Sequence, residues 1–387
     1  MNKPVIMTFN RHYLPGYRAG GPIRTLANMV ERLGDEFDFY LVTLDRDSGD
    51  SEPYLGCKIG EWGNVGKAKV MYLPIGEVSQ RRLVSLVKSI HPDILYLNSL
   101  TDPVFTQRIL LARLFRCIPS TPIIIAPRGE LSQSALQLHY LKKKIYLIVT
   151  SILRLYRGLT WQASSEFERN DILRNLSFVR PNEIREAMDL APSKSYTVLD
   201  WHIRQTGMPL RICFLSRISP MKNLDFALRV LHMVKVEIKF TIYGPQENPS
   251  YWRECESLIS SLPPNIKVDY AGEVDFKDVC HCLAQHDLFF LPTRGENYGH
   301  VIQEALQAGL PVLISDQTPW QEINELGVGW KYPLDGELAF VKKIEEIALW
   351  DTEQFESVKR HASEYAHTQA KKEDVLEANR QIFLGEL

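Results

Sequence analysis

Short apolar runs alternate with helix-length amphipathic segments along this chain, and that alternation limits its possible folds more than any other feature. The runs that we expect to form strands are residues 4–9, 37–43, 70–74, 94–98, 123–126, 211–215, 239–243, 266–271, 288–291 and 312–315. The segments that we expect to form helices are residues 22–33, 80–90, 104–115, 224–233, 251–260, 279–285 and 300–308. Strands that alternate with helices predict parallel sheets covered on both faces.

The alternation runs twice, and a polar stretch at residues 179–209 separates the two series. We interpret this stretch as a linker between an N-terminal domain, residues 1–190, and a C-terminal domain, residues 205–365. A last helix, about residues 366–387, is expected to pack back on the first domain. The predicted fold is therefore α/β, with two Rossmann-like domains that face each other across a cleft and bind ligands at the carboxyl ends of their strands.

Charge and targeting signals narrow the class of protein. The 387 residues include 45 Lys and Arg against 47 Asp and Glu, so there is no net basic charge of the kind that nucleic-acid binding needs. The N-terminus has no apolar secretory core, and the longest apolar stretch, residues 145–153, is too short to span a bilayer. Six scattered cysteines indicate reduced thiols. We expect a cytoplasmic protein, either free or peripheral on the inner face of the membrane.

A glycine-rich loop follows the first predicted strand. It contains Gly20 and Gly21, and Pro22 follows them at a position that suits the first turn of a helix. Paired glycines let a backbone approach a ligand closely, and helix N-termini bind anions. The alternative is a plain connection between a strand and a helix.

Two cations lie in the loop that follows the strand at residues 211–215. Arg217 and Lys222 fall at the carboxyl end of that strand, in the sequence SRISPMKN. Such a pair can hold a diphosphate and neutralise it as it departs. The alternative is a pair of solvated loop cations.

The segment after the strand at residues 288–291 combines several polar features. Glu296 precedes a predicted helix, and Glu304 lies on that helix at the edge of its apolar arc. A sheltered carboxylate needs hydrogen-bonding partners, and a ribose diol would serve. The backbone amides of residues 297–300 can bind an anion at the helix start. One loop could thus contact a sugar, a phosphate and a ribose.

The spacing of Glu296 and Glu304, followed by EALQAGLPVLIS, resembles the retaining glycosyltransferases of family four, which have the GT-B fold. FLSRISPMKN is similar to the Arg and Lys segment of that family, and YLPGYRAGGPIRTLANMVERL is similar to its N-terminal glycine loop. WQASSEFERNDI is similar to its interdomain region. The resemblance covers almost the whole chain and is most specific over residues 210–334.

The resemblance implies roles for individual residues. Glu296, Arg217 and Lys222 would be catalytic, with Glu296 on the hydroxyls of the transferred sugar and the two cations on the donor diphosphate. The remaining donor contacts would be Asn297, Tyr298 and Gly299 through their amides, Glu304 on the ribose, Gly20 and Gly21 on the diphosphate, and Gly244 and Val274 at the base. The resemblance implies that no metal or other cofactor is needed and that the reaction is a front-face substitution on a nucleotide-sugar.

Two short patterns raise the question of a metal. Asp45-Arg46-Asp47 has the form of a D-x-D motif, but its place after a strand in a polar loop favours a solvated turn. Cys280, Cys282 and His286 do not have the spacing of a standard zinc site. We expect no bound metal.

The acceptor side is expected in the N-terminal domain. Asn98 stands where the family often has a histidine, and Arg128 follows a strand where it could meet an acceptor phosphate. Lys142, Lys143 and Lys144 precede an apolar segment, which suits the anionic face of a bilayer. The alternative for that segment is a core helix behind a solvated charge run.

The predicted function is transfer of a hexose, with retention, from a UDP- or GDP-sugar to a saccharide acceptor. If the lysine run meets a membrane, that acceptor is lipid-linked, as in the synthesis of cell-surface polysaccharide or lipopolysaccharide O-antigen. Two alternatives stay open. One is a GT-B sugar-nucleotide epimerase, which would need its own acid and base groups, and the other is a non-catalytic subunit that binds sugar nucleotides.

Overall fold

The computed structural model describes residues 3–137, 140–192, 201–202 and 204–385. The chain forms two compact units. The N-terminal unit consists of residues 1–193 and 372–387, and the C-terminal unit consists of residues 194–371. Each unit is built on a sheet of its own.

The N-terminal unit contains an eight-stranded sheet. Its strands are β1 (Val5–Phe9), β2 (Asp38–Leu44), β3 (Trp62–Val65), β4 (Ala68–Leu73), β5 (Ile94–Leu97), β6 (Ile123–Ile125), β7 (Thr160–Ala163) and β8 (Ile184–Glu186). They lie in the order β3-β4-β2-β1-β5-β6-β7-β8, and each neighbouring pair is parallel except β3 with β4.

Helices cover both faces of this sheet because its central strands are apolar on both sides. The helices are α1 (Gly21–Leu33), α2 (Gln80–Ile90), α3 (Thr106–Leu114), α4 (Gln133–Gln137), α5 (Tyr140–Ile152) and α6 (Glu166–Asn175). On β1, Ile6 packs in the cluster that contains α1. Met7 and Phe9 pack in the cluster that contains α2 and α3.

The C-terminal unit contains a six-stranded sheet in which every neighbouring pair is parallel. Its strands are β9 (Leu210–Leu215), β10 (Ile238–Tyr243), β11 (Ile266–Gly272), β12 (Leu288–Leu291), β13 (Val312–Ser315) and β14 (Gly329–Tyr332). Their order is β11-β10-β9-β12-β13-β14. The chain therefore leaves β9 in one direction and returns beside it at β12, which makes the carboxyl ends of these two strands a topological switch point.

The helices of this unit lie between its strands and after the last one. They are α7 (Leu224–Met233), α8 (Pro249–Ser260), α9 (Val279–Ala284), α10 (His300–Gln307), α11 (Glu337–Ala348) and α12 (Thr352–Ala370). Asp351 begins α12 with a capping box, since its side chain accepts from the Gln354 amide at 2.8 Å and the Gln354 side chain accepts from the Asp351 amide at 3.0 Å.

The last helix, α13 (Glu373–Leu384), belongs to the N-terminal unit. Its Phe383 is 4% exposed and lies in an aromatic cluster with Phe37, Phe39 and Tyr96, at ring-centroid distances of 5.3, 6.0 and 5.7 Å. This cluster fixes the helix against the sheet on the same side as α1.

The structure confirms the predicted fold class of two α/β units with parallel sheets. Each predicted strand, and each predicted helix up to residue 308, is present to within two residues. The last helix, expected at about residues 366–387, extends from Glu373 to Leu384. The interpretation of residues 179–209 as linker is wrong in part, because Ile184–Glu186 forms β8. This strand has three residues, only one of them buried, at the edge of its sheet, so it leaves no apolar run in the sequence. Among the helices within the described ranges, none has the length and apolar character needed to cross a membrane.

We predict that Phe383→Ala destabilises the N-terminal unit by about 3–5 kcal/mol, because the truncation leaves a cavity inside an aromatic cluster. Leu384→Ala is the matched control, since Leu384 is 51% exposed. Denaturant unfolding followed by tryptophan fluorescence measures both variants. Equal losses in the two variants would show that α13 does not depend on this contact.

Candidate active site

The loops that follow β9 and β12 are bound to each other at the switch point. The Arg294 amide donates to the carbonyl oxygen of Met221 at 2.9 Å. The Asn223 side-chain amide donates to the carbonyl oxygen of Pro292 at 2.9 Å, and the Thr293 hydroxyl donates to Met221 at 3.2 Å. These bonds make the two loops one structural element and fix the residues between them.

Asn223 shapes this element. Its φ is +62°, a left-handed conformation that asparagine tolerates better than most residues, and it lies directly before α7. Its side-chain oxygen accepts from Nε of Arg294 at 3.0 Å, while its amide nitrogen binds Pro292. The sequence motifs did not single out Asn223, although an asparagine directly before a helix is a recognisable signal of a cap or turn.

Lys222 and Glu296 form an ion pair across the two loops, with Lys222 Nζ donating to Oε1 of Glu296. Their side chains are 14% and 11% exposed. Each of these charges needs the other. A single charge at this depth would lose most of its hydration without a partner that compensates the loss. The structure therefore brings together a cation and a carboxylate that the sequence assigned to different parts of one ligand.

Arg217 has a different environment. Its Nη1 donates to Oε1 of Glu247 at 2.7 Å, and both side chains are more than 40% exposed. Exposed pairs of this kind contribute about 0–1 kcal/mol, so a ligand of higher negative charge can readily take the guanidinium. The sequence analysis did not identify Glu247 as the partner of Arg217.

Gly244 fixes the position of the backbone beside Arg217. Its φ is +129°, and a Cβ at this residue would lie 1.9 Å from the carbonyl oxygen of Ser216. The close approach of two backbone segments therefore requires glycine here. Val274, the other residue predicted at the base, follows β11 and packs partly against the core of the C-terminal unit.

The N-terminus of α10 lies in the same loop as Glu296. Gly299 precedes the helix with φ +80°, and the Trp320 indole donates to the carbonyl oxygen of Tyr298 at 2.6 Å. The Tyr298 ring is 5% exposed and packs against the rings of Trp320 and His300. These contacts fix the positive end of the α10 dipole. Trp320, which the sequence analysis missed, is the residue that secures this turn.

Glu304 and Asn297 complete the predicted set in the C-terminal unit. Glu304 is 8% exposed on the second turn of α10, which agrees with the sheltered position expected from the helical pattern. Asn297 lies between Glu296 and Tyr298 in the loop before the helix. The loops after β9 and β12, together with α10, therefore bring together Lys222, Glu296, the turn at residues 297–299 and Glu304.

In the N-terminal unit, Gly20 and Gly21 begin α1. Gly20 has φ +66°, a left-handed conformation that favours glycine. A Cβ there would meet nothing within 4 Å, so steric crowding is not the reason for glycine at this position. Asp47 holds the preceding loop, because its Oδ2 accepts from the amides of Tyr17 and Arg18 at 2.7 and 3.1 Å.

The expectation of a solvated turn at Asp45 and Asp47 is wrong. The two residues are 2% and 4% exposed. Asp45 pairs with Arg46, and Asp47 is bound by backbone amides, so both carboxylates are structural. Burial of these acids has a physical reason. Asp47 satisfies N–H groups of the glycine-rich loop that have no partner in a strand or helix, and Asp45 is compensated by the Arg46 guanidinium.

Arg128 and Asn98 lie in a buried network. Arg128 is 7% exposed and pairs with Asp189, while its Nε donates to Oδ1 of Asn98 at 2.7 Å and its Nη2 donates to the Tyr96 hydroxyl. Burial is the largest single influence on the pKa of Arg128 and would lower it, but the charges of Asp189, Tyr96 and Glu168, with the Asp189 hydrogen bond, together raise it. Asp189 also accepts from the Thr25 hydroxyl at 2.7 Å. This arrangement links α1 to the ends of β5 and β6, and contact of Arg128 or Asn98 with an acceptor stays a prediction.

The predicted membrane face lies at the start of α5. The side chain of Lys142 lies outside the described residues. Lys143 donates to the carbonyl oxygen of Ala135 at 2.6 Å, and Lys144 is exposed. The alternative interpretation of this segment as a core helix holds for only one side of α5. Tyr146 and Leu147 pack on the core, whereas Ile152 is 74% exposed.

Within the described part of the chain, no group of three or more His, Cys, Asp or Glu residues could hold a metal ion. His286 hydrogen-bonds the carbonyl oxygen of Cys282 at 2.9 Å through Nδ1, and burial lowers the pKa of His286 to about 4. Cys280 and Cys282 lie on α9 and are not joined in a disulfide.

Residues 200–364 match the family model of the glycosyl transferases group 1. Over this segment the resemblance read from the motifs is confirmed at the level of the group 1 glycosyl transferases. The match contains both strands of the switch point, the Lys222–Glu296 pair and α10.

Individual named relatives share little sequence identity with this chain. The chain is 26% identical over 174 residues to the putative colanic acid biosynthesis glycosyltransferase WcaL of Salmonella typhimurium, covering 42% of each sequence. It is 21% identical to the sulfoquinovosyl transferase SQD2 of Arabidopsis thaliana, covering 78% of this chain and 56% of that protein. The match spans less than half the length of WcaL and of a protein from the Klebsiella pneumoniae cps region.

Solved structures share the fold over nearly the full length. The Anabaena protein Alr3699/HepE in complex with UDP-glucose has a TM-score of 0.69 at 16% identity, with 98% of both chains covered. WaaG, a glycosyltransferase involved in lipopolysaccharide biosynthesis, has a TM-score of 0.68 at 14% identity, with 98% of this chain and 100% of that chain covered. The fold is that of the GT-B glycosyltransferases.

We predict that Arg128→Met destabilises the N-terminal unit by about 3–5 kcal/mol, because it leaves the buried Asp189 carboxylate without its counter-charge. Arg81→Met, at an exposed arginine of α2, should cost less than about 0.5 kcal/mol. Adding Asp189→Asn to Arg128→Met should recover part of the loss. Denaturant unfolding measures all three, and full stability of Arg128→Met would mean that the network does not hold the unit together.

Proposed function

We propose that this protein is a retaining, metal-independent glycosyltransferase that moves a hexose from a UDP- or GDP-sugar to a saccharide acceptor. The observation that carries the proposal is the placement of Lys222, Glu296 and the N-terminus of α10 at one switch point, within the segment that matches the group 1 family. Cations, a carboxylate and a helix dipole in one place suit a ligand that combines a diphosphate with a sugar.

The donor diphosphate would bind Arg217 and Lys222. Lys222 is already held by Glu296, and Arg217 is held only by an exposed carboxylate, so the donor would meet one fixed and one adjustable cation. Two cations and the α10 dipole would stabilise negative charge as it develops on the leaving phosphate, which is the work that a divalent ion performs in other phosphate-transfer sites. The structures of HepE with UDP and with UDP-glucose support a UDP-sugar as the first donor to test.

The sugar would lie beside Glu296, whose carboxylate would accept hydrogen bonds from its hydroxyls, and Glu304 would bind the ribose diol. In a front-face reaction the acceptor hydroxyl forms its bond to the anomeric carbon on the face from which the diphosphate leaves. The leaving phosphate oxygen takes the acceptor proton. Charge, bonds and protons then balance without a covalent intermediate on the protein, and the configuration at the anomeric carbon is retained.

The acceptor would be a cell-surface saccharide, linked to a lipid at the inner face of the membrane. Three similar proteins support this acceptor class: WcaL is named for colanic acid biosynthesis, another relative belongs to the Klebsiella pneumoniae cps region, and WaaG is involved in lipopolysaccharide biosynthesis. An exposed apolar face on α5 with lysine and arginine nearby fits a lipid-linked acceptor.

A panel of nucleotide-sugars with lipid-linked and free saccharide acceptors, read by mass spectrometry, tests the proposal. We expect a glycosylated product with retained anomeric configuration, formed equally well in the presence of a chelator. Conversion of the nucleotide-sugar to its epimer would support the epimerase instead. Tight binding with neither transfer nor hydrolysis would contradict any enzymatic role.

We predict that Glu296→Ala lowers turnover by at least about two orders of magnitude, because it removes the carboxylate proposed to hold the sugar. The variant should stay folded at the assay temperature, with a lowered melting temperature because Lys222 loses its counter-charge. Glu325→Ala, at an exposed glutamate of the same unit, is the matched control and should keep full activity. A Glu296→Ala protein with wild-type turnover would refute the assigned role.

A further inference from the structure

The outer face of α5 is aliphatic and exposed. Ile145, Ile148, Val149 and Ile152 follow the i, i+3, i+4, i+7 spacing of one helix face, and their exposed fractions are 61%, 51%, 46% and 74%. Leu153, directly after the helix, is 46% exposed. Single exposed aliphatic residues are common on protein surfaces, but a contiguous row of this kind marks an interaction surface.

The exposed row does not pack on the core of the N-terminal unit, because the opposite side of α5 makes that contact. Tyr146 and Leu147 pack against the core, and Thr150 is 4% exposed. The Tyr146 hydroxyl donates to the carbonyl oxygen of Leu100 at 3.2 Å. These residues lie about 180° around the helix from the exposed row at 100° per residue. The helix is therefore apolar on two sides, with one side inside the protein and the other in water.

The charge around this face is of one sign. No Asp or Glu occurs from residue 131 to residue 165, a stretch of 35 residues that contains Lys142–Lys144, Arg154 and Arg157. Arg154 and Arg157 are exposed. Such a combination of exposed aliphatic and exclusively basic residues is complementary to an anionic lipid surface.

A second element reaches the same end of α5. Arg113, on α3, donates to the carbonyl oxygens of Arg157 and Gly158 at 2.9 and 3.2 Å. The two residues after it, Leu114 and Phe115, are 40% and 70% exposed. The end of α3 therefore adds an aromatic ring and an aliphatic side chain near the basic end of α5.

We propose that the outer face of α5 binds an anionic phospholipid bilayer by inserting its aliphatic row between the headgroups. The helix has 13 residues, or about 20 Å of length, which cannot cross a hydrocarbon core of about 30 Å but suits a helix that lies in the plane of the interface. Arg154 and Arg157 contact the lipid phosphates. A second copy of the chain is the poorer occupant, because its own basic residues would face these.

This inference sharpens the proposed function by naming the surface that would bring a lipid-linked acceptor to the protein. It differs from the sequence prediction in one respect. The aliphatic row and the two arginines carry the binding, whereas Lys143 of the lysine run is turned toward the carbonyl oxygen of Ala135.

Vesicle co-sedimentation of the full chain tests the inference without any need for turnover. The probes are vesicles of phosphatidylcholine alone and of phosphatidylcholine with roughly 30% phosphatidylglycerol. We expect binding to the anionic vesicles to be at least about tenfold stronger than to the neutral ones, and to weaken at high salt because the headgroup charge is screened. Absence of binding to the anionic vesicles would overturn the proposal.

The double variant Ile145→Asn with Ile152→Asn should weaken binding to anionic vesicles by at least about tenfold, because it removes two inserted side chains. Leu338→Asn with Leu349→Asn is the matched control, since these leucines of the C-terminal unit are 65% and 79% exposed. Arg154→Glu with Arg157→Glu should abolish the preference for anionic over neutral vesicles. Circular dichroism and thermal melting confirm that each variant is folded.

Unchanged vesicle binding by Ile145→Asn with Ile152→Asn would refute the role of α5. Size-exclusion chromatography with light scattering tests self-association. A wild-type protein that is dimeric and does not bind vesicles, with a double variant that is monomeric, would assign the face to self-association instead. Vesicle binding by a protein that transfers no sugar would leave this inference standing and contradict the proposed function alone.

Discussion

The ion pair between Lys222 and Glu296 is the interaction on which the candidate site depends. It joins two loops that are 74 residues apart in sequence, and both of its side chains lie mostly out of water. Hydrogen bonds from Arg294, Asn223 and Thr293 hold the same loops together, so contacts within the protein fix the position of the pair. Preorganised charges of this kind lose little free energy to rearrangement when a ligand binds, and that suits a site for charge stabilisation.

The N-terminal unit uses buried and half-buried carboxylates for a different purpose. Asp47 accepts from loop amides before α1, Glu130 accepts from the amides of Leu100 and Thr101 at 3.1 and 2.9 Å, and Glu168 accepts from the Ser164 amide at 2.8 Å. Loops at the carboxyl ends of parallel strands carry N–H groups that no strand or helix satisfies, and these acids satisfy them. In the C-terminal unit the Glu296 carboxylate instead pairs with Lys222 across two loops at the switch point.

Most of the strands could be predicted because central parallel strands are buried on both faces and leave contiguous apolar runs. β3, β8 and β14 are edge strands with few buried residues, so they leave no such run, and β8 was assigned to a linker. The positions of Lys222, Glu296 and Glu304 follow from motif spacing. Their partners do not, because Glu247, Asp189 and Trp320 meet Arg217, Arg128 and Tyr298 only through the folded chain, at separations of 22 to 61 residues.

A crystal structure of the protein with UDP or GDP is the most direct test of the central claim. The claim is that the switch point formed by the loops after β9 and β12 binds a nucleotide diphosphate. The account predicts the diphosphate within hydrogen-bonding distance of Lys222 Nζ and the Arg217 guanidinium, with the ribose hydroxyls on the Glu304 carboxylate. A nucleotide bound elsewhere, with the switch point unchanged, would contradict it.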